Sequence, residues 1–229
     1  MKFTNRHYDQ YRAEELTNRL LAEPTSSHAG SWMCDLVAEF HRGYPLDNLR
    51  PLLLNSSAEI VKAGAWIASE LGEKGRPLLN DLSPLLDHPD SKVRFSAVDC
   101  ILLWADSSKS LELAKTVSLI EDGAPRVRWK VMDFLSRASP EQLGAALTYF
   151  QATNPRSKHI QGLRLLLGSG TDISARATAA LNDADQLMRK YGVVLARRFA
   201  TSNKEPLLYA ASIDDPDVKD FADTSISLL

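Results

Sequence analysis

Asp87-His88-Pro89-Asp90-Ser91-Lys92-Val93-Arg94 and Glu121-Asp122-Gly123-Ala124-Pro125-Arg126-Val127-Arg128 are two versions of one sentence. In each, a cluster containing Asp and Pro stops one helix and caps the next, and a Val-Arg pair then opens a new apolar face. Working outward, similar punctuation recurs at Asn55-Ser56-Ser57, Thr153-Asn154-Pro155, Asn182-Asp183-Ala184-Asp185 and Asp214-Asp215-Pro216-Asp217. The chain is therefore read as an array of repeated units.

Aligning the segments after these turns gives a first core position at Ile60, Val93, Val127, His159, Met188 and Val218, with a mean period of about 32 residues. Four residues on stand Gly64, Ala97, Val131, Leu163, Gly192 and Ala222, mostly small side chains where helices can approach closely. Seven and eight residues on come Ile67-Ala68, Cys100-Ile101, Phe134-Leu135, Leu166-Leu167, Leu195-Ala196 and Ser225-Ile226. These offsets trace one face of a helix. A partner helix is predicted before each turn, over 47–54, 77–86, 109–120, 140–151, 172–181 and 203–213. Such a pair cannot bury its own apolar face and must stack on its neighbours. The expected organisation is a single domain over 1–229, with repeats over 46–229 and an N-terminal helical cap over 1–45. Helices are expected there from Asn5 to Glu23 and from Ser31 to Arg42, on either side of Pro24-Thr25-Ser26-Ser27.

The Asp-Pro turn followed by Val-Arg resembles the start of the second helix in HEAT repeats, and the basic member recurs as Arg94, Arg128, Arg189 and Lys219. Val61 and Ile160 replace it in the other two units. The period is shorter than the roughly 40–47 residues usual for HEAT and armadillo units, and the tetratricopeptide and ankyrin patterns are missing. The resemblance is to compact HEAT-like repeats. It implies an all-α, right-handed α-α superhelix of about six helix pairs.

Composition agrees with that class. Of 229 residues, 44% are hydrophobic and only 7% aromatic, and no run alternates as a half-buried strand does. Cys34 and Cys100 are too few to staple a secreted domain and have no metal-ligand spacing, which points to a reducing, cytoplasmic compartment. No apolar run approaches the roughly 20 residues of a membrane span, so no membrane partner is expected. The net charge of −2 conceals a segregation. Residues 1–123 carry 13 basic against 18 acidic side chains, residues 124–204 carry 13 against 5, and residues 205–229 carry 1 against 6.

Chemistry is hard to find. His7, His28, His41, His88 and His159 include no i, i+4 pair, so no metal is expected. No phosphate loop or nucleophile elbow appears. Gly168-Ser169-Gly170 reads as a helix end and turn, and no cofactor is expected. HEAT-like DNA glycosylases resemble this chain in length and repeat count, but their Trp-Trp pair is absent from it. HEAT-like phycobilin lyases share the architecture, without an identifiable chromophore site here.

Specificity in a solenoid lies on residues of the second helices that stand off the core columns. Two positions after the first core residue are Lys62, Phe95, Trp129, Gln161, Lys190 and Asp220, and four further on are Trp66, Asp99, Asp133, Leu165, Val194 and Thr224. Phe95/Asp99 and Trp129/Asp133 repeat one pair beside Lys62 and Trp66, with Arg126 and Lys130 adjoining. Aromatic side chains flanked by charge are the material of interface hot spots. Alternatively, the rings pack between repeats and the aspartates pair with Arg94, Arg126, Arg128 or Lys130. The expected function is a non-enzymatic protein-binding solenoid that holds another protein on its concave face, and its format suits a bacterial toxin-neutralising immunity protein or inhibitor. The alternative is a nucleic-acid-binding or glycosylase-related protein using the basic segment 124–204.

Overall fold

The computed structural model describes residues 8–168 and 172–229. The beginning of the first helix expected from Asn5, and the turn expected at 169–171, lie outside them. Among the described residues the chain forms fourteen α-helices and no strand. It is an all-α solenoid, and it divides into two compact units, one ending at Trp104 and the other beginning at Ala105.

The first unit holds α1 (Gln10–Ala22), α2 (Ala29–His41), α3 (Arg50–Leu53), α4 (Ala58–Ser69), α5 (Leu79–Leu82) and α6 (Ser91–Trp104). Asp9 caps α1 by accepting from the Arg12 amide. The Glu39 carboxylate is fully buried there, accepting from the Asp9 amide at 2.9 Å and from Arg42 at 2.5 Å. Helices α4 and α6 behave as regular second helices. The first helices of these repeats do not. The helix predicted over 77–86 is instead two 3-10 stretches, Gly72–Leu78 and Ser83–Asp87, on either side of the single turn of α5. Pro77 and Pro84 lack the amide that an α-helix would use, so the backbone tightens locally. Gly72, at φ +55°, turns the chain out of α4. Its carbonyl then accepts from the indole of Trp104 at 2.6 Å, and that ring lies against Gly75, where any Cβ would collide with it.

The second unit holds α7 (Ser110–Ser118), α8 (Pro125–Arg137), α9 (Pro140–Thr153), α10 (His159–Leu167), α11 (Ile173–Leu181), α12 (Gln186–Arg198), α13 (Glu205–Ala210) and α14 (Pro216–Ser227). A reciprocal capping box between Ser139 and Gln142 starts α9.

The first core column is buried throughout, from Ile60 to Val218, and so is the column four residues on. The small residues of that second column are there for contact. A Cβ on Gly64 would come within 3.0 Å of the Leu52 backbone, and one on Gly192 within 2.8 Å of the Leu181 amide nitrogen. First and second helices touch at the main chain in these pairs. Gly162 serves differently: it leaves room for the ring of Tyr191.

Candidate interaction surface

The turn-and-arginine motif that opens the sequence is a structural clamp. Arg94 Nη1 donates to the carbonyls of His88 and Pro89, at 2.7 and 2.8 Å. Arg128 Nη1 does the same to Asp122 and Gly123, at 2.8 and 3.2 Å, and Arg189 Nη1 to Asp183 and Ala184, at 3.0 and 3.1 Å. In every case the guanidinium folds back five and six residues to satisfy carbonyls released at the end of the preceding helix. The turn carboxylates work in parallel: Asp90, Asp122, Asp183 and Asp185 each accept from the amide two residues on.

In the second unit the remaining arms of these side chains reach further. Arg189 Nε donates to Asp215 at 2.9 Å, one repeat on, while Arg128 pairs with Asp217 on α14. Lys190 on α12, only 4% exposed, donates to the same Asp217 at 3.1 Å and to the Ile120 carbonyl at 3.1 Å. Burial pushes the Asp217 carboxyl up, but the hydrogen bonds from Arg128 and Lys190 outweigh it and hold the group below the usual carboxylate range. Arg198 closes the other end of α8, donating to the carbonyls of Leu135 and Ala138. Three side chains of the basic run 124–204, Arg128, Arg189 and Lys190, are thus paired with two carboxylates of the acidic run after it, Asp215 and Asp217.

This arrangement changes the reading of the second helices. Helix α12 contacts α8, α10 and α14, and α14 also contacts α8. Residues Lys190 and Val194, placed by the repeat pattern on the open face, are both buried. Every side chain from Lys190 to Ala196 is enclosed, so α12 is the central helix of its unit. No register of the pattern shows this, because it depends on helices two and three repeats apart curling together.

The expected binding residues fall into two groups. In the first unit, Lys62 and Trp66 stand on α4 and Phe95 and Asp99 on α6, all half-buried, with Lys62 paired to Glu59. In the second, α8 carries Arg126, exposed, and Trp129, Lys130 and Asp133, half-buried. Asp133 receives Lys130 at 3.6 Å and Arg137 at 3.2 Å. The Trp129 ring meets Phe221 of α14 edge-on, with centroids 5.8 Å apart. Part of that indole therefore serves internal packing.

Two hollows have no counterpart in the sequence reading. One, of about 420 Å³, lies among Glu121, Asp122, Arg128, Asp185, Lys190 and Asp217, and is the mouth of the ion-pair cluster. Beside it His159 Nε2 lies 3.3 Å from Glu121, and its Nδ1 lies 3.1 Å from the Tyr191 hydroxyl. Burial lowers the imidazole below its ordinary value, against the opposing pull of Glu121. The other, of about 550 Å³, lies between α1 and α2. Among the described residues, no group of three or more His, Cys, Asp or Glu side chains is placed to hold a metal ion, and no helix is long and apolar enough to cross a membrane.

No family model matches the sequence, and no curated protein does. Solved structures do. An engineered protein aligns over 94% of this chain and 95% of its own with a TM-score of 0.52 and 15% identity. A designed armadillo repeat protein aligns over 97% of this chain and 95% of its own, at 16% identity and a TM-score of 0.47. At such identity the first likeness concerns the fold alone.

Proposed function

We propose that the protein is a non-enzymatic, HEAT-like binding scaffold that holds another protein on the outward faces of its second helices. One observation carries the reading. In the first unit, helices α4 and α6 each leave a large aromatic side chain half-exposed off the core columns, Trp66 and Phe95, with a charged residue one turn away at Lys62 and Asp99; in the second unit, taken by itself, α8 carries the same pattern in Trp129 and Asp133. Aromatic side chains desolvated inside a charged rim are what give protein interfaces their affinity. Within this reading the role we favour is inhibition, as in a toxin-neutralising immunity protein, which has only to bind and block. A reducing, cytoplasmic setting suits the two cysteines, Cys34 and Cys100, which form no disulfide.

Support for the nucleic-acid alternative weakens, because Arg128, Arg189, Lys190 and Arg198 are occupied within the chain. The test is capture of partners from the native host by the protein and by Trp66→Ala/Phe95→Ala, followed by affinity measured at low salt and again at several-fold higher salt. The reading requires a protein that the wild type retains, that the double variant loses at unchanged melting temperature, and whose affinity depends weakly on salt. A nucleic acid whose affinity falls steeply with salt would replace it.

A further inference from the structure

We infer that the groove between α1 and α2 is a second docking surface, separate from the second-helix faces, and that its occupant is an arginine-bearing basic segment of a partner protein. The groove, of about 550 Å³, is walled by Tyr11, Glu14, Glu15, Arg19, Glu23 and Trp32. Helix α1 buries Ala13, Leu16, Thr17 and Leu20, so Tyr11, Glu14 and Glu15 stand on its opposite face. Tyr11 is 81% exposed, the most exposed large hydrophobic side chain among the described residues. Trp32 has two neighbours: His28 stacks on it with centroids 6.2 Å apart, and the Arg19 guanidinium lies 5.7 Å from its ring centroid. Arg19 also pairs with Glu15 at 2.5 Å.

What remains open decides the partner. Among the described residues Glu14 and Glu23 have no cationic partner, since Glu14 accepts only from the Gln10 amide group. With Glu15 and Arg19 offsetting each other, the two remaining carboxylates leave the groove negative beside the Trp32 indole and an open phenol ring. A guanidinium matches both components, because its plane stacks on the open Tyr11 ring while its edge pairs with a carboxylate. Arg19, set against Trp32 and Glu15, makes that same pair of contacts at the groove wall. An acidic peptide or a nucleic-acid backbone would be repelled.

The probe is a fluorescein-labelled peptide of alternating arginine and leucine, with a glutamate-leucine peptide as control, titrated by anisotropy into the full-length protein. The basic peptide should bind at least about tenfold more tightly than the acidic one. Tyr11→Ala/Glu14→Gln/Glu23→Gln should lose at least about tenfold of that affinity at unchanged melting temperature. Asp220→Asn/Asp223→Asn, which removes two exposed charges from α14, should keep it. Equal binding by both triple and double variants would reduce the effect to bulk charge and overturn the proposal, as would no preference for the basic peptide. Light scattering supplies the remaining outcome: a dimer that Tyr11→Ala dissolves would assign the groove to a second copy of the chain instead, and overturn the proposal too.

Discussion

Arg128 and Asp217 stand 89 residues apart in the chain and meet through two parallel hydrogen bonds, Nε to Oδ2 at 2.8 Å and Nη2 to Oδ1 at 2.7 Å. The forked pair is fixed at one end by the turn carbonyls that Arg128 also holds, and at the other by Lys190. Removing one member of a buried pair leaves the other charge without compensation. Asp217→Ala should therefore destabilise the protein by about 3–5 kcal/mol in urea denaturation. A loss under about 1 kcal/mol, the ordinary range of exposed pairs, would show that the cluster is effectively solvated.

The same carboxyl sets an acid limit. Its folded pKa is lowered, so its contribution is complete above the unfolded value of about 3.9 and is lost as pH falls through the still lower folded value. Wild-type stability should fall more steeply below about pH 4 than that of Asp217→Ala. Parallel pH profiles for the two proteins would remove Asp217 from this role.

His159 acts in a different window. Its folded pKa is lowered by burial, so the unfolded chain takes up the proton first, and stability present above about pH 6.5 is lost as pH falls from there to the folded value. Thermal melting on either side of that value, at about pH 7.5 and about pH 5.5, should show a decrease that His159→Gln diminishes.

Glycine positions offer a paired test. Gly64→Ala places a methyl group within 3.0 Å of the Leu52 backbone and should cost about 1–3 kcal/mol, despite its better helix propensity. On α9, nothing lies within 4 Å of where the methyl group of an alanine at Gly144 would sit, and Gly144→Ala should stabilise by about 0.4–1 kcal/mol. Equal effects at the two sites would mean that the main-chain contact between α3 and α4 yields freely.

Trp129 and Phe221 should be energetically coupled. A double-mutant cycle on Trp129→Ala and Phe221→Ala should give about 0.5–1.5 kcal/mol, the range of edge-to-face aromatic pairs. Zero coupling would return the whole indole to the partner-binding face.

The repeat itself is readable because it is local. Val93, Ala97 and Cys100 lie on one turn-spaced face whatever the helix later meets, and all three are buried. The turns are readable for the same reason, since the Asx and proline chemistry that makes them acts within a few residues. What the pattern cannot carry is the rotation from one repeat to the next. That rotation brings α14 onto α8, makes α12 a central helix and covers part of Trp129 with Phe221. The 3-10 segments around α5 are signalled by Pro77 and Pro84, although the apolar spacing there reads as one continuous helix. The α1–α2 groove has only a weak signal, a tyrosine in the midst of acidic residues, and a polar cap would carry the same composition.

The contact of α14 with both α12 and α8 bears on how the second unit opens. An ideal solenoid is close to a one-dimensional chain, in which each repeat feels only its neighbours and can fray from an end at small cost. Here the final helix is tied back to the first of the second helices in its unit through Arg128, Asp217 and Lys190, so peeling it away also opens the seat of α8 and the wall of α12. Residues 105–229 are therefore coupled end to end, so that opening at α14 is shared with α8 and α12 instead of staying within one repeat.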